Sequence, residues 1–239
     1  MNVGMNLYLQ NILPIAVITL IVYVPLELVQ AYMEYYVFDP EDIRATFRLQ
    51  RFLENFFGIF AIGSVTALQA ATLRHESISI GESLGRGIAA WPRLFWSRLV
   101  RGFLLILALL ALVIPFFYYF VRLLLVEQVA VIEHASGMQC IKRAHHLSAN
   151  HFWLVCGVTS LSYSAVILVA LVLNIPLSLF PEIDHWLLSA AIAVFVQILT
   201  QIPTSLLVAT YFEFLYESRA AAASVATASP VLTEALPEN

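Results

Sequence analysis

Residues Leu94–Ile132 read LFWSRLVRGFLLILALLALVIPFFYYFVRLLLVEQVAVI, with long apolar runs on both sides of Pro115. A bilayer core of about 30 Å is crossed by about 20 apolar helical residues. Neither run alternates polar and apolar residues over about ten positions, which is the pattern of β-barrel strands. The stretch therefore predicts two membrane helices, Leu94–Ile114 and Phe116–Ile132, joined by a tight turn at Pro115.

The rest of the chain continues this apolar pattern. Of its 239 residues, 61% are apolar and 12% are charged, whereas a soluble domain is roughly 45–50% apolar and about 25% charged. Four further stretches have the length of a span: Leu9–Tyr32, Phe52–Leu73, His151–Leu173 and Trp186–Tyr216. We therefore expect an all-α polytopic integral membrane protein with six transmembrane helices in a single domain, residues 1–219. The Ala-, Ser-, Thr- and Pro-rich residues 220–239 are expected to be a disordered tail.

The distribution of basic residues predicts the orientation of these spans. Arginines lie in the connection between the second and third spans and at the edge of the third, among them Arg98 and Arg101. Lys142 and Arg143 follow the fourth span, whereas Glu182 and Asp184 lie on the opposite side. Because Lys and Arg favour the cytoplasmic side, we expect both termini in the cytoplasm and the protein in a bacterial inner membrane. The net charge of −4 indicates no nucleic-acid partner. The expected partners are the lipid bilayer and either another membrane protein or a second copy of the chain.

Two segments on the predicted cytoplasmic side have an amphipathic pattern. In His75–Arg93 and in Ser136–Asn150, apolar residues share one helical stripe, which predicts two helices lying in the plane of the interface. At an offset of 57 residues, Glu76 matches Glu133, Arg86 matches Arg143, and Phe95-Trp96 matches Phe152-Trp153. These matches favour a parallel internal repeat of the kind found in some transporters; similarity without duplication is the alternative.

Polar side chains within the predicted spans are the candidate functional residues, because charges at membrane depth are expensive. Arg122 and Glu127 lie in the fourth span, and Gln197 and Gln201 share one face of the sixth. In one interpretation these four side chains contact a substrate or a lipid head group. In the other, the glutamines hydrogen-bond between helices, and the charges have structural roles.

The structural interpretation also predicts particular ion pairs. Arg122 either snorkels to the interface or pairs with Glu27 or Glu54, while Glu133 holds Arg143 across the turn that follows the fourth span. Glu27, Glu133 and Arg143 are therefore candidate members of structural ion pairs.

The sequence contains no pattern that indicates catalysis or a cofactor. It has no Gly-x-Ser-x-Gly elbow, P-loop or dinucleotide fingerprint. The histidines near the predicted cytoplasmic face, His134, His145, His146 and His151, lack an ordered metal-ligand spacing. We therefore predict no catalytic, cofactor-binding or metal-binding residue, and no enzymatic activity.

The segment Val121–Trp153 reads VRLLLVEQVAVIEHASGMQCIKRAHHLSANHFW. It resembles a signature in the membrane domain attached to some bacterial glycerophosphodiester phosphodiesterases and in related six-span YciC-like proteins of unknown role. The residues that fit the signature are Arg122, Glu133, Gly137, Cys140, Ile141, Lys142, Arg143, Leu147 and Trp153, whereas Gln128, Ala144 and Asn150 depart from it. The resemblance implies a fold, because the phosphodiesterase chemistry of such fusions belongs to a separate barrel domain of about 250 residues.

These observations favour a non-enzymatic membrane protein that acts as a scaffold, regulator or accessory subunit, linked to lipid or envelope homeostasis. The alternative is a small transporter or lipid-handling protein that uses the intramembrane polar residues. An intramembrane enzyme acting on lipid is a third hypothesis, for which Glu127, Glu133 and the histidines are the only candidates.

Overall fold

The computed structural model describes residues 2–38, 43–111, 113–179 and 186–233. Within these ranges the chain forms eleven helices and no strand. The helices are α1 (Asn2–Gln10), α2 (Ile12–Tyr36), α3 (Ile43–Phe56), α4 (Gly58–Leu73), α5 (Ile80–Ala111), α6 (Val113–Arg122), α7 (Val126–Ile132), α8 (Met138–Leu147), α9 (Phe152–Leu179), α10 (Trp186–Leu199) and α11 (Gln201–Thr233).

In the described part of the chain, six helical stretches are long and apolar enough to cross a bilayer, which confirms the all-α polytopic fold class. They are Ile12–Tyr36, Arg44–Leu73, Ile80–Ala111, Val113–Ile132, Phe152–Ile175 and Trp186–Ala220. Large apolar side chains on their outer surfaces are well exposed, among them Leu110 at 78% and Ile114 at 81%. In water such a surface would drive aggregation, and we interpret it as the face that contacts lipid.

Three of these six spans are interrupted within their length. The second is interrupted at Phe57, the fourth at Leu123–Leu125 and the sixth at Thr200. At the last of these, the Thr200 hydroxyl donates a 2.7 Å hydrogen bond to the carbonyl of Gln197. Non-helical backbone at membrane depth is tolerated where it is buried in protein or lines a polar cavity. We therefore expect each interruption to lie against other helices or beside a cavity.

The helix predicted to lie along the interface at His75–Arg93 is not a separate element. From Ile80 onward this segment is the first part of α5, whose 32 residues extend about 48 Å without a break. Gly87 does not end the helix, because it brings α5 against α4: a Cβ on Gly87 would stand 2.7 Å from the backbone nitrogen of Ser64. The Ser83 hydroxyl donates a 2.7 Å hydrogen bond to the backbone carbonyl of Ser64. Tertiary packing thus decides the course of this glycine-containing segment.

The second predicted amphipathic segment does form a separate helix, α8. Gly137 begins it with φ of 53°, a left-handed conformation that glycine adopts without a steric penalty. The side chains of Cys140, Ile141, Ala144 and Leu147 are buried in the core, and burial raises the pKa of the Cys140 thiol. Residues 148–151 then separate α8 from α9, whereas α5 is continuous, so the two halves of the predicted repeat differ in their helix breaks. The internal duplication stays a prediction.

The main core lies where α4, α5, α7, α8 and α11 meet, and α7 is buried along almost its whole length. At the far end of the chain, α11 continues to Thr233. Residues 220–233, where the sequence predicted a disordered tail, are therefore helical, and their alanines favour a helix intrinsically. Residues 234–239 of the predicted tail lie outside the described residues.

Candidate functional site

A polar cavity of about 590 Å³ lies at the centre of the bundle. Its volume is within the range of small-molecule binding sites, roughly 300–1,000 Å³. All six spans contribute to its lining. The lining residues are Tyr23, Arg51, Glu54, Asn55, Ile62, Arg98, Arg101, Gly102, Leu105, Glu127, Gln128, Tyr163, Gln197, Thr200, Gln201, Thr204 and Leu207.

The cavity is at mid-height in the bundle. Tyr23 lies near the middle of the first span, Ile12–Tyr36, and Tyr163 lies near the middle of the fifth, Phe152–Ile175. Two of the interrupted spans break beside the cavity, since Thr200 is itself a lining residue and Glu127 follows the break in the fourth span. The polar groups of the cavity therefore lie inside the bundle at the height of the hydrocarbon core of the bilayer.

An ion-pair network occupies one wall of the cavity. The Nε atom of Arg98 donates a 2.8 Å hydrogen bond to Oε1 of Glu127, and Nη1 of Arg101 lies 3.7 Å from the same oxygen. These side chains are 15–24% exposed. One carboxylate thus faces two guanidinium groups that are largely withdrawn from solvent, and the network carries an excess of positive charge.

α3 adds further charged groups to the lining of the cavity. Glu54 accepts a 3.1 Å hydrogen bond from the Gln50 side chain, while the guanidinium of Arg51 lies over the ring of Phe47 at 4.8 Å. In all, three arginines and two glutamates line the cavity. When all five are ionised, the lining has one more positive than negative charge, which favours an anion.

Two buried amide groups in the lining have unsatisfied oxygen atoms. Gln128 and Gln201 are each only 1% exposed, and the Oε1 atom of each has no hydrogen-bond partner among the residues that the structure describes. The Nε2 atom of Gln201 donates to the Gln197 carbonyl at 3.3 Å, which fixes the orientation of that amide. A buried acceptor without a partner costs about 1–3 kcal/mol. Both oxygens are enclosed by surrounding side chains, so each can accept a hydrogen bond from water or from a bound molecule only after its amide group turns toward the cavity.

Of the four side chains predicted to contact a substrate or head group, the structure brings three together. Glu127, Gln197 and Gln201 all line the cavity. The fourth, Arg122, is not among the lining residues. Its Nη1 donates a 3.2 Å hydrogen bond to the carbonyl of His145, and its guanidinium lies 4.9 Å from the centroid of the Tyr118 ring.

Arg122 is also not placed in the predicted ion pair with Glu27 or Glu54; among the described residues no carboxylate is paired with it. Its backbone carbonyl accepts a 3.1 Å hydrogen bond from the Ser148 hydroxyl. Arg122 therefore connects the end of α6 to the end of α8 through both its side chain and its backbone carbonyl. The guanidinium has only hydrogen-bond donors, so when buried it needs an acceptor such as the His145 carbonyl.

The remaining candidate ion-pair residues fall at two places. Glu27 is buried and hydrogen-bonded to the side-chain amide of Gln197, which joins the first span to the sixth beside the cavity. Glu133 lies at the end of α7, where the Nε atom of Arg143 donates to both carboxylate oxygens at 2.9 and 3.1 Å. The Tyr211 hydroxyl donates to Oε1 of Glu133 at 2.7 Å, so this carboxylate joins α7, α8 and α11.

Sequence reasoning missed several of the cavity residues. Arg98 and Arg101 were used only to predict the orientation of the spans. Tyr23, Gln128 and Tyr163 were not predicted as site residues. One signal was present, because Arg98 and Arg101 are three residues apart in an apolar run and therefore share a helical face. The two tyrosines gave no signal, because an isolated tyrosine in a span has many roles.

Within the described part of the chain, no group of three or more His, Cys, Asp or Glu side chains is arranged to hold a metal ion. No protein-family model, curated protein or solved structure matches this chain. The likeness of Val121–Trp153 to the phosphodiesterase membrane domains therefore stays a prediction.

Proposed function

We propose that this integral membrane protein is a small transporter or lipid-handling protein that binds a polar ligand or head group in its central cavity. The observation that carries this proposal is a cavity of about 590 Å³ lined by all six spans. Its buried Gln128 and Gln201 oxygens have no hydrogen-bond partner in the described part of the chain. Burying charged and polar groups at membrane depth is costly. A ligand that binds to these groups would offset this cost, which explains why they are present in the cavity.

The lining indicates the chemistry of the ligand. Arg98 and Arg101 share a single carboxylate, that of Glu127, so an anionic group is favoured beside them. The oxygens of Gln128 and Gln201 accept hydrogen bonds, so the same ligand should carry hydroxyl or amine donors. Phosphorylated polyols, hydroxylated or amino carboxylates and the head groups of phospholipids all combine these features.

The interrupted spans also favour this class of function. In secondary transporters, discontinuous helices bring backbone groups to substrate sites near the middle of the bilayer. Here the fourth and sixth spans are interrupted at Leu123–Leu125 and Thr200, next to the cavity. An interruption in two lining spans also provides points at which half-helices can move relative to each other.

The scaffold or accessory-subunit hypothesis stays a prediction, as does the absence of enzymatic activity. A scaffold does not require a charged central cavity, so the cavity favours the transporter or lipid-handling hypothesis. We also propose that the protein lies in a bacterial inner membrane with cytoplasmic termini. The support for this orientation is the bias of Lys and Arg toward one set of connections.

The test is to extract the full chain gently from its own membrane and to identify the bound small molecules by mass spectrometry. Wild type is compared with Gln201→Leu, which removes the amide and preserves the volume. The matched control is Gln69→Leu, because Gln69 is a fully buried glutamine that also has an unpartnered oxygen but does not line the cavity. A compound identified in this way is then tested for movement into liposomes containing the purified protein.

We expect an anionic compound with hydroxyl or amine groups to be retained by wild type and by Gln69→Leu, and lost from Gln201→Leu. The proposal fails if wild type retains no such compound, or if Gln201→Leu retains it as well as wild type does. A stoichiometric protein partner with an empty cavity would support the scaffold hypothesis instead.

A further inference from the structure

A second cavity, distinct from the central one, is a groove of about 710 Å³ between α5, α6 and α8. Leu104, Leu107 and Ala108 line it from α5, and Tyr119 and Leu123 line it from the fourth span. Within each helix these residues are three or four positions apart, so each set occupies a single helical face. Most of the groove wall on α5 and the fourth span is therefore apolar, which suits contact with part of a hydrocarbon chain.

One end of this groove is basic. Lys142, His145 and His146 line it from α8, together with Ile141 and Ala149. The spacing from Lys142 to the histidines is three and four residues, which places all three side chains on one face of α8.

The positive charge at this end is not neutralised by the protein. Within the described residues, Lys142 is paired with no carboxylate. The nearby Glu133 is instead occupied by Arg143 and Tyr211. An exposed ammonium group at the end of an apolar trough is complementary to an amphiphile that has a negative head group.

We propose that this groove binds one anionic phospholipid. Its acyl chain lies along Leu104, Leu107 and Tyr119, and its phosphate is bound by Lys142 and His146. Basic pockets between transmembrane helices bind anionic lipid head groups, and an amphipathic helix such as α8 presents its basic side chains at head-group level. The charge at the α8 end favours this occupant over a purely apolar one.

Arg122 holds the groove in shape without lining it. Through its hydrogen bond to the His145 carbonyl and its contact with the Tyr118 ring, it fixes α8 against α6. The Ser148 hydroxyl adds a hydrogen bond to the Arg122 carbonyl. Because these contacts hold α6 and α8 together, we expect this part of the groove to exist before the lipid binds.

The test is native mass spectrometry of the purified full chain with equimolar phosphatidylglycerol and phosphatidylethanolamine as probes. Wild type should retain one phosphatidylglycerol in preference to phosphatidylethanolamine. Lys142→Gln should weaken this retention about fivefold, as expected for one basic side chain near an anionic lipid surface. The matched control is Arg86→Gln, because Arg86 is an exposed cation paired with Glu76 and Glu82 outside the groove, and this variant should bind as wild type does.

A second variant tests the apolar part of the same site. Leu107→Trp fills the trough from an exposed position of α5, so it should displace the lipid without changing the charge. The proposal is overturned if Lys142→Gln and Leu107→Trp both retain phosphatidylglycerol as wild type does, or if wild type does not discriminate between the two lipids. A second copy of the chain bound at this face, and lost in Lys142→Gln, would replace the lipid with a dimer contact.

Discussion

The Nε atom of Arg98 lies 2.8 Å from Oε1 of Glu127, and this hydrogen-bonded ion pair joins the third span to the fourth at the wall of the central cavity. Arg101 lies 3.7 Å from the same oxygen. The carboxylate therefore has a structural role as well as a place in the cavity, because it is the ion-pair partner of two guanidinium groups that are largely withdrawn from water.

Replacing Glu127 with Gln should destabilise the protein by about 3 kcal/mol, because breaking a buried ion pair leaves its partner charge uncompensated. Arg98→Gln should be less harmful, since Arg101 then still has Glu127 as a partner. Thermal unfolding in detergent measures both changes. The double variant should lose less stability than the sum of the two single losses, as coupled residues do; strictly additive losses would contradict the pairing.

Arg122→Met should lower stability by about 2 kcal/mol, because it removes a charged hydrogen bond to the His145 carbonyl. Arg122→Lys should recover part of this loss, since it keeps the charge but not the planar guanidinium. Neither variant should change which ligand the folded protein retains in its central cavity. Loss of that ligand without loss of stability would instead make Arg122 the ligand contact that the sequence predicted.

Gly87→Ala should be strongly destabilising, by about 1–3 kcal/mol as in other overpacked contacts. The added Cβ would stand 2.7 Å from the Ser64 backbone nitrogen and 3.0 Å from the Phe60 carbonyl oxygen. The control is Gly85→Ala on the same helix, where a Cβ meets nothing within 4 Å and alanine gains about 1 kcal/mol of helix propensity. The two melting temperatures should therefore shift in opposite directions; equal shifts would contradict the close approach of α4 and α5.

Tyr211→Phe should cost about 1.5–3 kcal/mol, because the tyrosine hydroxyl donates a 2.7 Å hydrogen bond to the Glu133 carboxylate. Tyr216→Phe on the same helix is the control, since Tyr216 is 77% exposed. Unfolding midpoints compare the two variants. In a Glu133→Gln background the loss caused by Tyr211→Phe should become smaller, because the acceptor is then neutral.

The stability of the protein should fall on acidification through His145. Burial, and then the positive charge of Arg122, lower the pKa of this imidazole in the folded state. The unfolded chain therefore takes up the proton first. The contribution of His145 is fully present above about pH 6.5 and is lost as the pH falls below that value.

Unfolding temperatures at about pH 7.5 and about pH 5.5 test this dependence. His145→Asn should lose less stability between the two values than wild type does. His75→Asn is the control, because His75 is exposed and its φ of 58° is one that Asn adopts readily. An unchanged pH dependence in His145→Asn would refute the proposed role of this residue.

The amino-acid sequence alone predicts the features that depend on local composition. Six apolar stretches of span length gave the all-α membrane fold, since about 20 apolar residues cross a bilayer whatever their neighbours are. The helical period of Ser136–Asn150 predicted the helix α8, because amphipathic periodicity is a local property of the sequence; its position in the interface plane stays a prediction. The close contact of Glu133 with Arg143 was also predictable, because the two residues flank one short turn and have few alternatives within reach.

Which polar side chains meet depends on how the spans pack in three dimensions. Glu127, Gln197 and Gln201 face one cavity, while Arg122 faces the His145 carbonyl. The spacing of these residues along their helices is compatible with Arg122 facing the cavity and also with Arg122 facing away from it. The course of His75–Arg93 also depends on packing. In the sequence Gly87 weakens the prediction of a helix, whereas in the structure it allows α5 to approach α4 closely. Helical period fixes the face of a residue relative to its own helix, but the rotation and offset of one helix against the next depend on packing between distant segments. The central cavity is therefore a property of the assembled bundle, to which each span contributes only a few residues.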